Sequence, residues 1–211
     1  MKRFIIIGCF ILLYGIGTPN AAIIYDNTST FLAAGLYPLS TEWEMGDQVS
    51  LAGTERIVTE FSFGHSASIV SSGLAQVNFY SNDGINNTPG TKLYESEWFP
   101  ILEGSNEHTL TGFSIEVPDT FTWTVHFDGG EDGLMGLPYY DPPTIGSSDD
   151  FVWVNWELWQ GTGWGKQNFP DYIDNFNARI TAVPEPNTLF LLGFGLAGVV
   201  AFGKKRLFKK T

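Results

Sequence analysis

Cysteine is almost absent from this sequence of 211 residues, which contains only Cys9. Cys9 lies in an apolar segment near the amino end, and we expect that segment to be removed from the mature chain. A mature chain without cysteine cannot form disulfide bonds. An exported domain of this size then relies on its hydrophobic core, which a chain with 43% hydrophobic residues can supply.

Basic residues are scarce between residues 23 and 182, where only four of the 11 lysines and arginines lie. The four are Arg56, Lys92, Lys166 and Arg179. The same range holds 22 of the 23 acidic residues, so its formal net charge is four minus 22, or −18. Such a domain repels nucleic acid and anionic lipid, and it attracts divalent cations or basic partners. We therefore expect no nucleic-acid partner.

Motifs for catalysis are missing as well. The three histidines, His65, His108 and His126, are isolated in the sequence, and no two of them have the spacing of metal ligands. The sequence contains no nucleophile elbow, phosphate loop or dinucleotide fingerprint. We expect no enzymatic activity. A secreted glycan hydrolase stays as an alternative, because the distance between two catalytic carboxylates depends on the fold.

The amino end has the three parts of a signal peptide. Lys2 and Arg3 precede an apolar run over Phe4–Ile16, and a short stretch rich in small residues follows. The run is long enough for a signal peptide and too short for a comfortable membrane span. We predict a signal helix over residues 1–22 that is cleaved after one of the two alanines at its end. The alternatives are an uncleaved anchor and lipidation at Cys9.

The carboxyl end consists of a short motif, an apolar stretch and a basic tail. The motif is Val183, Pro184, Glu185 and Pro186, and its two prolines end the last strand and keep the segment extended. A transmembrane helix over about residues 188–203 would span ~24 Å. The tail (204–211) holds five basic residues: Lys204, Lys205, Arg206, Lys209 and Lys210. These charges should keep the tail cytoplasmic and place the acidic domain outside.

This arrangement over residues 183–211 resembles the PEP-CTERM sorting signal. The resemblance implies processing by exosortase, an integral-membrane cysteine protease that cuts at the motif. It also implies a Gram-negative host that makes extracellular polysaccharide, an anchored stage in the inner membrane with the domain in the periplasm, and later delivery to the cell surface or beyond it. The stretches 46–96 and 117–125 are similar to the uncharacterised β-sandwich bodies of other PEP-CTERM proteins, which implies a fold and no activity. An ordinary stop-transfer anchor is the alternative.

Between the two ends, the hydrophobic pattern alternates with a period of two residues. In the clearest run, residues 121–127, aromatic and aliphatic residues occupy one face. The other face, which we expect to be solvated, carries Thr122, Thr124 and His126. Many short alternating runs separated by Gly, Asn, Asp and Pro predict an all-β domain over residues 23–182, an antiparallel β-sandwich of jelly-roll type. We expect one short helix inside it, near residues 28–34.

An acidic loop directly after this run is the candidate metal site. The loop, residues 128–133, contains three glycines and three carboxylates, from Asp128, Glu131 and Asp132. Flexible loops rich in oxygen suit Ca²⁺, which takes six to eight oxygen ligands. The spacing does not match an EF-hand, and a solvated turn is the alternative. No other cofactor is expected.

Four tryptophans close together are the candidate glycan platform. They are Trp153, Trp156, Trp159 and Trp164. On a strand, Trp153 and Trp156 would point to opposite faces, so at least one face should be core. Exposed rings would stack on sugars, whereas buried rings would only cover the sheet.

These features favour a non-enzymatic surface or matrix protein that exosortase delivers into an exopolysaccharide layer or biofilm. A carbohydrate-binding module is the first alternative, and a secreted glycan hydrolase is the second.

Overall fold

The structure, a computed structural model, describes residues 20–35, 37–38, 43–68, 73–128, 134–155, 163–168 and 175–185. One compact unit spans Ala21–Val183, and a second comprises Met1–Asn20 with Pro184–Thr211. The predicted signal helix, transmembrane helix and basic tail lie outside the described residues. Within the described ranges, no helix is long and apolar enough to cross a membrane.

The described part of the compact unit consists of fifteen β-strands and one turn of 3₁₀ helix, Ile85–Asn87. The first eight strands are β1 (Ala22–Asp26), β2 (Phe31–Ala33), β3 (Tyr37–Pro38), β4 (Trp43–Ser50), β5 (Ile57–Ser68), β6 (Gly73–Ser81), β7 (Lys92–Glu95) and β8 (Phe99–Ile101). The other seven are β9 (Gly104–Glu116), β10 (Thr120–Asp128), β11 (Leu134–Gly136), β12 (Tyr139–Tyr140), β13 (Ser147–Asn155), β14 (Trp164–Gln167) and β15 (Ala178–Val183).

The strands form two main sheets. The six-stranded sheet has the order β1-β15-β5-β11-β3, and β9 also pairs with β5. The seven-stranded sheet has the order β14-β13-β4-β10-β6-β7, and β8 also pairs with β6. Strands β2 and β12 form a separate two-stranded sheet. Every described strand pair is antiparallel. The predicted all-β, antiparallel sandwich is confirmed.

The core lies between the two main sheets and is rich in aromatic rings. Phe61 of β5 meets Trp123 of β10 and Phe79 of β6, each at a centroid distance of 5.2 Å. All three side chains are fully buried. Removing a ring of this size from water contributes about 1.5–3 kcal/mol relative to leaving it exposed. The alternating aromatic and aliphatic residues of β10 therefore face the core, as their period of two predicts.

The opposite face of β10 departs from the expectation. Thr122 and Thr124 are completely buried, and His126 is half-buried. The prediction of a solvated face is wrong because other side chains cover this face: Glu44 of β4 accepts a hydrogen bond from Thr124, and the Trp98 ring packs against His126. Alternation along one strand shows that two faces exist, and only the tertiary structure shows whether both are covered.

The helix expected near residues 28–34 is also wrong. Residues 31–33 form β2, which pairs with β12, and the Phe31 ring packs edge-on against Tyr140 at 5.6 Å. Thr28 donates a hydrogen bond to Asp26 and accepts one from Arg179, which is 151 positions away. These long-range contacts override a weak local preference for helix.

Candidate functional site

The outer face of the seven-stranded sheet holds most of the polar side chains buried on that sheet. On β4, Met45 and Val49 belong to the core, whereas Glu44 makes its contacts on the opposite face. Glu44 lies opposite His126 of β10 on one side and Asn155 of β13 on the other. Only 4% of Glu44 is exposed, which is unusual for a carboxylate.

Four hydrogen-bond donors surround the Glu44 carboxylate. Its Oε1 atom accepts from Asn78 Nδ2 at 2.9 Å, Tyr80 OH at 2.9 Å and Thr124 Oγ1 at 2.6 Å. Its Oε2 atom accepts from Asn155 Nδ2 at 3.4 Å. A buried carboxylate is tolerated when its lone pairs are satisfied in this way. Burial raises the pKa of Tyr80, and the Glu44 charge raises it further. Tyr80 therefore stays a neutral donor.

The outer face is curved inward. Trp164 lies on β14 and Tyr80 on β6, which are four positions apart in the sheet order. Neighbouring strands are ~4.8 Å apart, so a flat sheet would separate the two backbones by ~19 Å. The two ring centroids are nevertheless only 5.3 Å apart, in an edge-to-face arrangement. The sheet must therefore curl so that the Trp164 and Tyr80 rings meet above β4 and β10, which makes the outer face a trough.

Glycine at position 46 permits the close packing at the floor of this trough. Gly46 of β4 lies opposite Thr124 of β10. A Cβ atom on Gly46 would come within 1.9 Å of the Trp123 carbonyl oxygen, which no side chain can do. The lack of a side chain at position 46 also leaves the space beside Thr124 to the Glu44 carboxylate.

Trp153 of the predicted glycan platform has no free ring face. Only 1% of it is exposed, because Phe151 packs edge-on against it at 5.4 Å and the Lys166 ammonium lies 5.0 Å from its ring. Its Nε1 donates to Gln48 Oε1 at 3.5 Å. Trp164 is half-buried against Tyr80, and Trp156 and Trp159 lie outside the described residues. Trp153 therefore covers the sheet and does not present a face for stacking.

Among the tryptophans whose side chains the structure describes, Trp98 is an exposed one. It precedes β8, is 42% exposed, and rests on the His126 ring of β10 at 5.0 Å. The sequence pattern did not indicate it, because Trp98 is isolated in the sequence whereas four tryptophans lie close together after residue 150. One feature of the sequence could have identified Trp98: it lies in a short connection between strands, after an acidic residue and before Phe99-Pro100.

The acidic loop is described only at its first residue. Asp128 ends β10, lies opposite Leu74 and is half-buried, whereas residues 129–133 lie outside the described ranges. Among the residues that the structure describes, no three His, Cys, Asp or Glu side chains are grouped so that they could hold a metal ion. The Ca²⁺ site thus stays a prediction.

A second buried carboxyl, Asp47, faces the core. It is fully buried, accepts from Ser148 Oγ at 2.7 Å and lies 3.4 Å from the Phe176 amide nitrogen. Burial raises its pKa well above the ordinary value, which favours the neutral acid. Burial likewise raises the pKa of Tyr25, with a smaller contribution from Asp47. Asp47 and Glu44 lie on opposite faces of β4, so they cannot act on one bond as a carboxylate pair.

Two of the three histidines are brought together by the fold. His65 of β5 and His108 of β9 both contact the Phe63 ring, at 6.1 and 6.0 Å. His65 is 3% exposed, and neither of its ring nitrogens has a partner in hydrogen-bonding geometry. Burial lowers the pKa of His65 and nearby His108 lowers it further, whereas the Leu102 carbonyl, which is close but outside hydrogen-bonding geometry, only partly opposes this.

The predicted processing motif begins where β15 ends. β15 lies between β1 and β5, and its last residue, Val183, pairs with Ile57 of β5. Pro184 is half-buried and Glu185 is exposed, whereas Pro186 and the basic tail lie outside the described residues. Since Pro184 has no amide hydrogen, it cannot continue the ladder of hydrogen bonds.

A family model described as the PEP-CTERM protein-sorting motif matches residues 182–206. The chain carries a PEP-CTERM sorting motif. The motif marks the chain as an exported protein that passes through the membrane and is processed by exosortase. The matched range begins at Ala182, so the last two residues of β15 belong both to the sheet and to the motif.

No curated protein and no solved structure matches the chain. The similarity of the domain to the bodies of other PEP-CTERM proteins therefore stays a prediction.

Proposed function

We propose that this chain is a non-enzymatic protein of the cell surface or extracellular matrix, which works within an exopolysaccharide layer after exosortase has removed its carboxyl-terminal tag. The observation that carries the proposal is the PEP-CTERM motif, whose matched range begins at the end of the last strand of the sandwich. The formal charge of −18 between residues 23 and 182 supports it, because an acidic domain stays soluble and does not adhere to anionic lipid.

Glu44 and Asp47, two of the buried carboxyls, do not favour the alternative of a glycoside hydrolase. The four donors around Glu44 already occupy its oxygens. Asp47 lies on the opposite face of the same strand, in the core. A glycoside hydrolase needs two carboxyl groups that flank one bond from an open cleft. These two groups do not meet that requirement.

The proposal is tested by the mass of the mature protein. The chain is expressed in a host with exosortase and in the same host lacking it, and the carboxyl terminus is determined by mass spectrometry. We expect the carboxyl terminus to lie within residues 183–186 only when exosortase is present. In that host we also expect to find the protein in the polysaccharide fraction. A surface form that keeps Thr211 in the exosortase-positive host would contradict the proposal.

Carbohydrate binding by the domain is the second candidate function, and the exposed Trp98 ring favours it. The ring is held against His126 beside the trough, so it offers a flat face that is already ordered. A stacked ring contributes about 1 kcal/mol, which gives weak binding at one site. Many molecules along one polymer would then be needed for firm attachment.

The binding test compares three variants for retention on the host polysaccharide. Trp98→Ala should weaken retention and leave the domain folded. Leu102→Ala, which truncates another exposed apolar residue, is the matched control. It should change neither retention on the polysaccharide nor folding. Trp153→Ala should lose about 3–5 kcal/mol of stability instead, because its ring is buried. Equal retention by the Trp98 and Leu102 variants would reject Trp98 as a sugar platform.

A further inference from the structure

Three polar atoms on the outer face of the seven-stranded sheet are buried and have no hydrogen-bond partner in the described part of the chain. They are Asn78 Oδ1, Asn82 Nδ2 and His126 Nε2. Only 1% of Asn78 is exposed, so bulk water does not reach its side-chain oxygen. Because a buried polar atom without a partner destabilises a fold, three such atoms on one face indicate that this face takes a polar ligand.

The three atoms form a row along the outer face of β10. Thr122 of β10 donates a hydrogen bond to Asn82 Oδ1 at 2.7 Å. Asn78 of β6 lies opposite the next outward residue, Thr124. His126 is the outward residue after that. Since a strand rises ~3.3 Å per residue, the row extends over ~13 Å from Thr122 to His126.

The hydrogen bonds that the two asparagines already make determine which atom each of them offers. Asn78 Nδ2 donates to Glu44, so the atom left for a ligand is the acceptor Oδ1. Asn82 Oδ1 accepts from Thr122, so the atom left is the donor Nδ2. A hydroxyl group matches both atoms, because it can donate and accept. A carboxylate or phosphate only accepts, and the Glu44 charge would repel it.

Aromatic rings lie at both ends of the row. At one end, the exposed Trp98 ring packs against His126. At the other end, Tyr80 lies opposite Thr122, and its ring meets the Trp164 ring of β14. β14 is an end strand of the seven-stranded sheet and pairs with β13 over only four residues, so it can open locally. Aromatic rings beside a few polar groups are typical of small-molecule sites.

We propose that this row binds a short stretch of a neutral, hydroxyl-rich glycan once the Trp164 ring moves off Tyr80. Asn78 Oδ1 accepts a hydrogen bond from one sugar hydroxyl, and Asn82 Nδ2 donates one to another. The inference deepens the carbohydrate binding proposed above and rests on it. It names the groups that hold the sugar, and it predicts that anionic sugars bind less well than neutral ones.

The experiment removes the Asn82 donor and measures glycan binding in solution. Asn82→Asp replaces Nδ2 by an acceptor and keeps Oδ1 for Thr122, whereas Asn86→Asp makes the same change at an exposed position between β6 and β7 and is the matched control. The pair Asn82→Ala and Asn86→Ala, which leaves the charge unchanged, decides the result if Asn82→Asp does not fold. Each mature secreted protein is titrated calorimetrically with oligosaccharides cut from the neutral and from the acidic fraction of the host polysaccharide.

We expect the neutral oligosaccharides to bind more tightly than the acidic ones, and the folded Asn82 variants to bind about tenfold more weakly than their Asn86 controls. Equal affinity in the Asn82 and Asn86 variants would overturn the inference, because water alone would then serve the row. Tighter binding of the acidic oligosaccharides would also overturn it. If only Trp98→Ala weakens binding, the inference fails and carbohydrate binding stands, whereas both fail if the unaltered protein binds neither fraction.

Discussion

Replacing Glu44 by alanine should cost the domain a large share of its stability. Three buried donors, on Asn78, Tyr80 and Thr124, lose their common acceptor Oε1. An unsatisfied buried donor costs about 1–3 kcal/mol, and part of that cost is recovered when the side chains turn or water enters. Taking ~1 kcal/mol for each donor gives a loss of about 3 kcal/mol. For a domain of this size, that lowers Tm by about 6–12 °C.

Two further variants separate the hydrogen bonds from mere packing. Glu44→Gln keeps a carbonyl oxygen at Oε1, so it should lose less than half as much as Glu44→Ala. Tyr80→Phe removes a single hydroxyl and should cost about 1 kcal/mol in the native background. In the Glu44→Ala background the same change should cost almost nothing, because the acceptor is already gone. The coupling free energy is then about 1 kcal/mol.

The assay is urea unfolding of the mature secreted protein, followed by tryptophan fluorescence and far-ultraviolet circular dichroism. The reasoning is refuted if Glu44→Ala loses less than ~1 kcal/mol, or if Glu44→Gln loses as much as Glu44→Ala. Additive effects of Glu44→Ala and Tyr80→Phe would show that the two side chains do not share a hydrogen bond.

Three other predictions concern titration and metal binding. Because burial raises the pKa of Asp47, the stability from its neutral form is present below its ordinary pKa of 3.8 and is lost as pH rises through the folded-state pKa. The free energy of unfolding of Asp47→Asn, relative to that of the unaltered protein, should therefore increase as pH rises. If unfolding curves give the same difference between the two proteins at pH 4 and at pH 8, this reasoning is contradicted. Because burial and His108 lower the pKa of His65, its contribution is present above 6.5 and is lost as pH falls through the folded-state pKa. Between pH 7.5 and 5.5, the stability of His65→Leu should accordingly fall less than that of the unaltered protein, as measured by urea unfolding. An equal fall in both proteins would reject the reasoning. If the loop at Asp128 binds Ca²⁺, the ion at ~100 times its Kd should stabilise the domain by ~2.7 kcal/mol; no change in Tm between millimolar Ca²⁺ and chelator at constant ionic strength would exclude a specific site.

The local pattern predicted the strand class and the inward face of β10 correctly, because alternation with a period of two follows from the geometry of a single strand. The sorting motif could be found in the same way, since a proline pair, an apolar stretch and a basic tail are all contiguous in sequence. These features need no information about which segments meet in space.

The candidate site depended on the tertiary structure. The Glu44 network joins residues 34, 36, 80 and 111 positions away, so no local pattern could show it. Trp153 is buried and Trp98 is exposed because different strands lie beside them. The residue type is the same at both positions, so it could not show this difference. The curl that brings Trp164 to Tyr80, and the pairing that brings Ala22 to Ala182, are properties of the sheet. The sequence by itself determined that the chain is exported and β-rich; the order of the strands decided which side chains meet, because that order is set by contacts between distant segments.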